Sequence, residues 1–173
     1  LGLSVIYLAL CAFGAPAAFA QSISTRSSSA FDQVLTFENE VYLVTLLVGS
    51  GDSDQSGLRW GGMSHKPTAT PYLYPEDNSG IFMVFGDRFM IDSTDFTVDE
   101  IQRRARDGTK DCRIVLSNAE HLVSAMLRIE TDETDRMRWS LQVRNDGDTP
   151  RRIQPIFPYM GRIRLGDALV DKQ

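Results

Sequence analysis

The strongest constraint in this chain is a period-two alternation near its end. Val123, Ala125, Leu127 and Ile129 are apolar, with the polar Ser124, Arg128 and Glu130 between them. After Asp132-Glu133-Thr134-Asp135 the pattern resumes. Met137, Trp139, Leu141 and Val143 alternate with Arg138, Ser140, Gln142 and Arg144. Successive strand side chains point to opposite faces, so this spacing gathers one apolar row on one side. Two such runs around a short polar turn predict an antiparallel hairpin with one buried face. Asn145-Asp146-Gly147-Asp148 supplies a second turn, because Asp-Gly suits positive-φ positions. The next apolar segment, Ile153 to Tyr159, contains Pro155 and Pro158, which place it at a sheet edge or make it irregular. The whole stretch reads as a meander of decreasing regularity.

Further strands are expected at Gln33 to Phe37 and Val41 to Val48. The second is almost continuously apolar, which predicts burial on both faces. Ile81 to Phe85 and Arg88 to Ile91 flank Gly86-Asp87 as another hairpin. Thr94 to Ala105 is ambiguous. Thr97-Val98-Asp99-Glu100 matches a capping box and Val98, Ile101 and Ala105 fit a helical face. Asp107-Gly108 followed by Lys110 to Leu116 looks instead like a hairpin return, and the β character of every neighbour weighs for strand. Residues 49–80 hold glycines and prolines with few apolar runs, and read as a long loop of the kind that carries function. The fold class expected is all-β, mainly antiparallel, a two-sheet sandwich or supersandwich incomplete at its C-terminus.

Residues 1–20 are uncharged and mostly apolar, and close on Ala18-Phe19-Ala20. Small residues at −3 and −1 are what a signal peptidase pocket admits, so a signal cleaved after Ala20 is expected, with export to the periplasm or outside. The rival reading is a membrane anchor, since about 20 apolar residues can span a bilayer; Gly14, Pro16 and the small-residue ending weigh against it. Residues 21–30 read as a flexible leader and 31–173 as the sandwich domain. The chain begins at Leu1 and stops just after a patterned segment, and reads as a piece of a longer protein.

All charges lie beyond residue 20, so the exported part keeps the net charge of −5. A mildly acidic chain with short basic clusters gives no nucleic-acid footprint, and no membrane partner is expected after signal cleavage. Cys112 is the one cysteine beyond the signal, so no internal disulfide is expected and packing is its ordinary use. His65 and His121 stand far from it in sequence.

Two local patterns suggest ligands. Asp52-Ser53-Asp54-Gln55-Ser56-Gly57 resembles the first half of a calcium loop, with Asp52, Asp54 and Ser56 as ligands. The second half fails, because Met63 occupies the twelfth position, where a bidentate carboxylate is needed; no other cofactor is indicated. Trp60, His65, Tyr72 and Tyr74 combine flat aromatics with polar groups, the composition of a carbohydrate surface; loop aromatics also serve as packing anchors. Gly-x-Ser-x-Gly, His-Glu-x-x-His, P-loop and dinucleotide signatures are absent, which removes the usual hydrolase and nucleotide-enzyme readings.

The run from Trp139 to Asp148, followed by Ile153 to Asp167 with its Phe157-Pro158 and Gly161 corner, resembles the β-sandwich that precedes the catalytic barrel of certain large secreted glycoside hydrolases. The endo-α-N-acetylgalactosaminidase-like enzymes and related bacterial proteins carry this galactose-mutarotase-like supersandwich. Phe37 to Tyr42 is similar to its opening strands. The resemblance implies a non-catalytic module that supports a downstream barrel of the same chain and contacts carbohydrate. It implies no catalytic residue here, since the barrel supplies the carboxylates. Two alternatives stay open: a stand-alone secreted carbohydrate-binding or adhesion sandwich, and a mutarotase-, epimerase- or lyase-like sandwich, which needs a histidine and a carboxylate in one cleft.

Overall fold

The computed structural model describes residues 23–26, 32–49, 56–73, 79–106, 109–131 and 135–160. Among these the chain is almost wholly antiparallel β, in three sheets packed as a sandwich. The first sheet holds β1 (Ile23–Arg26), β2 (Gln33–Glu38), β3 (Tyr42–Gly49), β4 (Gly57–His65) and β5 (Thr70–Leu73), in chain order. β6 (Met83–Gly86) and β7 (Met90–Asp92) form a hairpin. β8 (Thr97–Arg106), β9 (Thr109–Asn118), β10 (Val123–Thr131) and β11 (Met137–Asn145) form a four-stranded antiparallel sheet. β12 (Ile153–Ile156) completes a three-stranded sheet in the order β12-β6-β7.

The alternating hairpin is β10 and β11, in register from Val123 opposite Asn145 to Thr131 opposite Met137. Its two strands are not equally covered. Val123, Ala125, Leu127 and Ile129 are buried, whereas Met137, Trp139, Leu141 and Val143 are half-buried because β11 is the edge of its sheet. The expected meander ends there. β12 does not join β11 but crosses to pair with β6, Ile153 facing Gly86. Pro155, which lacks a ladder donor, does sit on an edge strand.

Three other expectations are corrected. Residues 49–80, read as a long loop, contain β4 and β5. The sequence conceals β4 because Gly61 is an extra residue: Trp60 faces Leu46 and Gly62 faces Thr45, so the alternation slips by one. β3 is buried on one face, through Val44, Leu46 and Val48, while Leu43, Thr45 and Leu47 are only partly covered. Ile23–Arg26, inside the stretch read as a leader, pairs with β2 as a strand. Residues 1–20 lie outside the described residues.

The 94–105 ambiguity resolves as strand β8, preceded by one 3₁₀ turn at Ser93–Asp95. The capping box is real but lies five residues earlier than the sequence suggested. Asp92 Oδ1 accepts from the Thr94 N–H at 2.6 Å, and the Asp92 N–H donates to Asp95 Oδ2 at 2.8 Å. The turn places the fully buried Ser93 hydroxyl between sheets: it donates to the Leu58 carbonyl of β4 at 2.5 Å and accepts from the Ile81 N–H at 2.7 Å. Gly57, at φ +77°, makes this approach possible. A Cβ there would meet Ser93 O at 2.5 Å and Thr94 O at 2.6 Å.

One continuous core joins the three sheets. Leu35, Phe37, Val44, Leu46, Leu58 and Trp60 line the first; Ile114, Leu116, Val123, Leu127 and Ile129 face them; Ile81, Phe82, Val84 and Phe96 fill the third side. Phe82 and Phe96 meet edge to face at 5.3 Å. At about 1.5–3 kcal/mol for each large side chain removed from water, this core is the main stabilising term.

Candidate functional site

Residues of the first sheet and of β11 line a groove of about 1230 Å3. Tyr42, Val44, Trp60 and Met63 form one wall and Met137 and Trp139 the other. Phe157, Pro158 and Met160 close the end, and Thr109, Glu130, Asp135, Arg136 and Arg138 stand at the rim. An apolar, aromatic cleft with a few polar groups at its margin is the usual form of a small-molecule or glycan site.

Each wall is held by an identifiable contact. The Trp60 indole N–H donates to the Tyr159 carbonyl at 2.8 Å, and the Tyr159 N–H donates to the Ile81 carbonyl at 2.7 Å. These bonds dock the segment after β12 against the core and so bring Phe157 and Met160 to the groove. Trp139 packs against Trp60 at 5.5 Å and Phe37 at 6.2 Å. Asn39 fixes the approach of Tyr42: its Oδ1 accepts the Val41 and Tyr42 N–H groups at 2.9 and 2.7 Å. At the rim, Glu130 pairs with Arg128 at 2.8 Å and with Arg138 at 3.7 Å.

The residues expected to contact carbohydrate are divided by the fold. Trp60 is only 2% exposed and its N–H is engaged, so it is a buried wall and not an open stacking platform. His65 and Tyr72 do come together, but outside the groove. The His65 ring lies 6.0 Å from Tyr42 and 6.4 Å from Tyr72, and its Nδ1 is 2.7 Å from Thr68 Oγ1. Tyr42 is the link between this cluster and the groove wall. Tyr74 lies outside the described residues, as do Asp52 and Asp54. Ser56, the third candidate calcium ligand, donates its hydroxyl to the Thr94 carbonyl at 3.1 Å. Among the described residues no group of three or more His, Cys, Asp or Glu side chains is placed to hold a metal ion.

Sequence reasoning missed Tyr42, Met63, Trp139, Phe157 and Met160. Trp139 carried a signal, since it was the largest residue of the alternating row, but the pattern assigned that row to the core. Neither histidine lines the groove. His121 stacks on Phe89 at 4.6 Å, far around the fold, and Arg151 stands 5.4 Å from the same ring. Cys112 is fully buried, and burial pushes its thiol up to about 11, so it is an inert packing residue. No helix among the described residues is long and apolar enough to cross a membrane.

No family model, no curated protein and no solved structure matches this chain.

Proposed function

We propose that the chain is a non-catalytic β-sandwich module that binds carbohydrate in the groove between β11 and the first sheet. The supporting observation is the wall chemistry. Apolar sugar faces stack on aromatic rings while hydroxyls bond to a polar margin, and here Tyr42, Trp139 and Phe157 line the same groove as Glu130, Asp135 and Arg138. The resemblance of the Trp139 to Asp167 run to the supersandwich of secreted glycoside hydrolases supports the same reading. It adds export through residues 1–20 and a catalytic barrel elsewhere in the parent protein. A mutarotase- or lyase-like activity gains no support, because no histidine lines the groove.

Both tryptophans of the chain, Trp60 and Trp139, line the groove, so intrinsic fluorescence reports on it directly. Titration with neutral oligosaccharides is expected to shift the emission, with no turnover of the sugar. Trp139→Ala is expected to weaken binding about tenfold, the equivalent of about 1.4 kcal/mol. Unchanged emission across neutral di- to hexasaccharides at millimolar concentration would refute the reading.

A further inference from the structure

The chain's charge is unevenly divided. Strands β8 to β11 carry eight basic side chains and four acidic ones, within a protein whose net charge is −5. The register sets most of them on the outer face of the four-stranded sheet, away from the core. One row across the sheet reads Ser140, Arg128, Arg113, Gln102; the next reads Arg138, Glu130, Asp111, Arg104.

Four acids share this face and each already has a partner: Asp99 accepts from Ser117 and Glu100 from Gln102, while Asp111 and Glu130 pair with arginines. Both oxygens of Asp111 accept from Arg128, at 2.9 and 3.3 Å, and Glu130 is shared between Arg128 and Arg138. Arg113 lies directly opposite Arg128 and forms no ion pair among the described residues; neither does Arg104, opposite Asp111. Like charges directly opposite each other destabilise a sheet, and here Asp111 and Glu130 offset the Arg128 charge while Arg113 has no such partner among the described residues. A solvated face needs no such juxtaposition. Around the arginines lie Ser140 and Gln142, uncharged groups able to bond hydroxyls, beside Met126 and Val115; Ser117, Ser124 and Gln102 already donate to Asp99, Asp146 and Glu100.

We propose that the outer face of the four-stranded sheet binds an acidic polysaccharide, with Arg113 and Arg104 holding its carboxylate or sulfate groups. A guanidinium presents paired N–H donors that fit either anion. A sheet face suits an extended chain, and Ser140 and Gln142 serve its hydroxyls. This surface meets the groove at Glu130 and Arg138, while Arg113 and Arg104 lie outside it, and the proposal stands if the groove proves not to bind sugar.

The test uses the whole 173-residue chain. Fluorescently labelled polygalacturonate, dextran sulfate and neutral dextran are titrated at low and moderate salt, beside a single-stranded oligodeoxynucleotide of similar charge. At least one acidic polysaccharide is expected to bind, with affinity falling as salt screens the contact, while neutral dextran does not. Arg104→Gln with Arg113→Gln is expected to weaken binding at least tenfold without lowering the melting temperature. Arg88→Gln, a basic change in the β6–β7 turn, leaves binding unchanged. Should the double variant not fold, Arg104→Gln alone, at an exposed position, is expected to weaken binding about threefold. Absence of binding to either acidic polysaccharide at low salt would overturn the proposal. So would variants that bind like the unmodified chain, or an oligodeoxynucleotide that binds as tightly as the polysaccharides.

Discussion

Ser93→Ala removes one oxygen atom and tests the junction between sheets. The side chain is fully buried, and its hydroxyl is the hydrogen-bond partner of the Ile81 N–H at the start of the β6 segment. It also donates to the Leu58 carbonyl of β4. Alanine leaves the Ile81 donor buried without a partner, which costs about 1–3 kcal/mol, and loses the second bond, worth about 0.5–1.5 kcal/mol. The Leu58 carbonyl suffers less, because a carbonyl has a second lone pair. A loss of about 2–4 kcal/mol follows, a large fraction of the stability of a domain this size. Urea unfolding, followed by tryptophan fluorescence and by circular dichroism, gives the difference in free energy. Ser140→Ala, exposed on β11, is the control and should fall within about 0.5 kcal/mol of the unmodified protein. A Ser93→Ala protein within about 1 kcal/mol of the original would refute the reasoning, since even the weakest version of this accounting loses about 1.5 kcal/mol.

Three further outcomes are expected. Gly57→Ala should destabilise by at least about 2 kcal/mol in the same assay, because the position is left-handed and the new Cβ collides with the Ser93 and Thr94 backbone. Arg151→Lys should cost about 1–3 kcal/mol and raise amide exchange in the two turns it joins, because one guanidinium bonds Asn145 Oδ1 at 2.6 Å and the carbonyls of His121 and Leu122. Alkaline pH should weaken the fold through Cys112. Burial raises its thiol from 9.0 to about 11, so the folded chain keeps a proton that the unfolded chain releases. Stability falls as pH rises through that interval, by at most about 3 kcal/mol, and denaturant melts of Cys112→Ala should lack this component.

The sequence disclosed the fold wherever a strand kept strict period two and its partner followed at once. β10 and β11 were legible for that reason, and the β6–β7 hairpin through the Gly86-Asp87 turn between its apolar runs. β4 was not, because the bulge at Gly61 turns Trp60 and Met63, instead of Trp60 and Gly62, toward the core. The partner of β12 was not legible either, since no local pattern distinguishes the adjacent β11 from β6, some 70 residues away. The capping box illustrates a different failure. Asp92 to Asp95 and Thr97 to Glu100 both carry the required groups, and only the Ser93 contacts with Leu58 and Ile81 decide which one is used. The candidate sugar contacts are neighbours in sequence that the fold places in different surroundings. Trp60 and Tyr72 look equivalent as residues and differ by which sheet packs above them.

The groove and the error about β11 have one cause. A period-two row specifies that a strand has an apolar face; it does not specify how much of that face another sheet covers. β10 is central, so its row is buried from Val123 to Ile129. β11 carries an equally apolar row at the edge of its sheet, and β4 opposite carries a bulge. Met137 and Trp139 are left half-covered, opposite Tyr42 and Met63. Full burial of Trp139 would have needed β12 or another strand to extend the sheet beside β11. The crossing of β12 to β6 prevents that, and the Trp60–Tyr159 bond secures the crossing. The same hydrogen bond that docks the chain after β12 therefore brings Phe157 and Met160 into the groove lining, which couples the stability of this corner to the groove's shape.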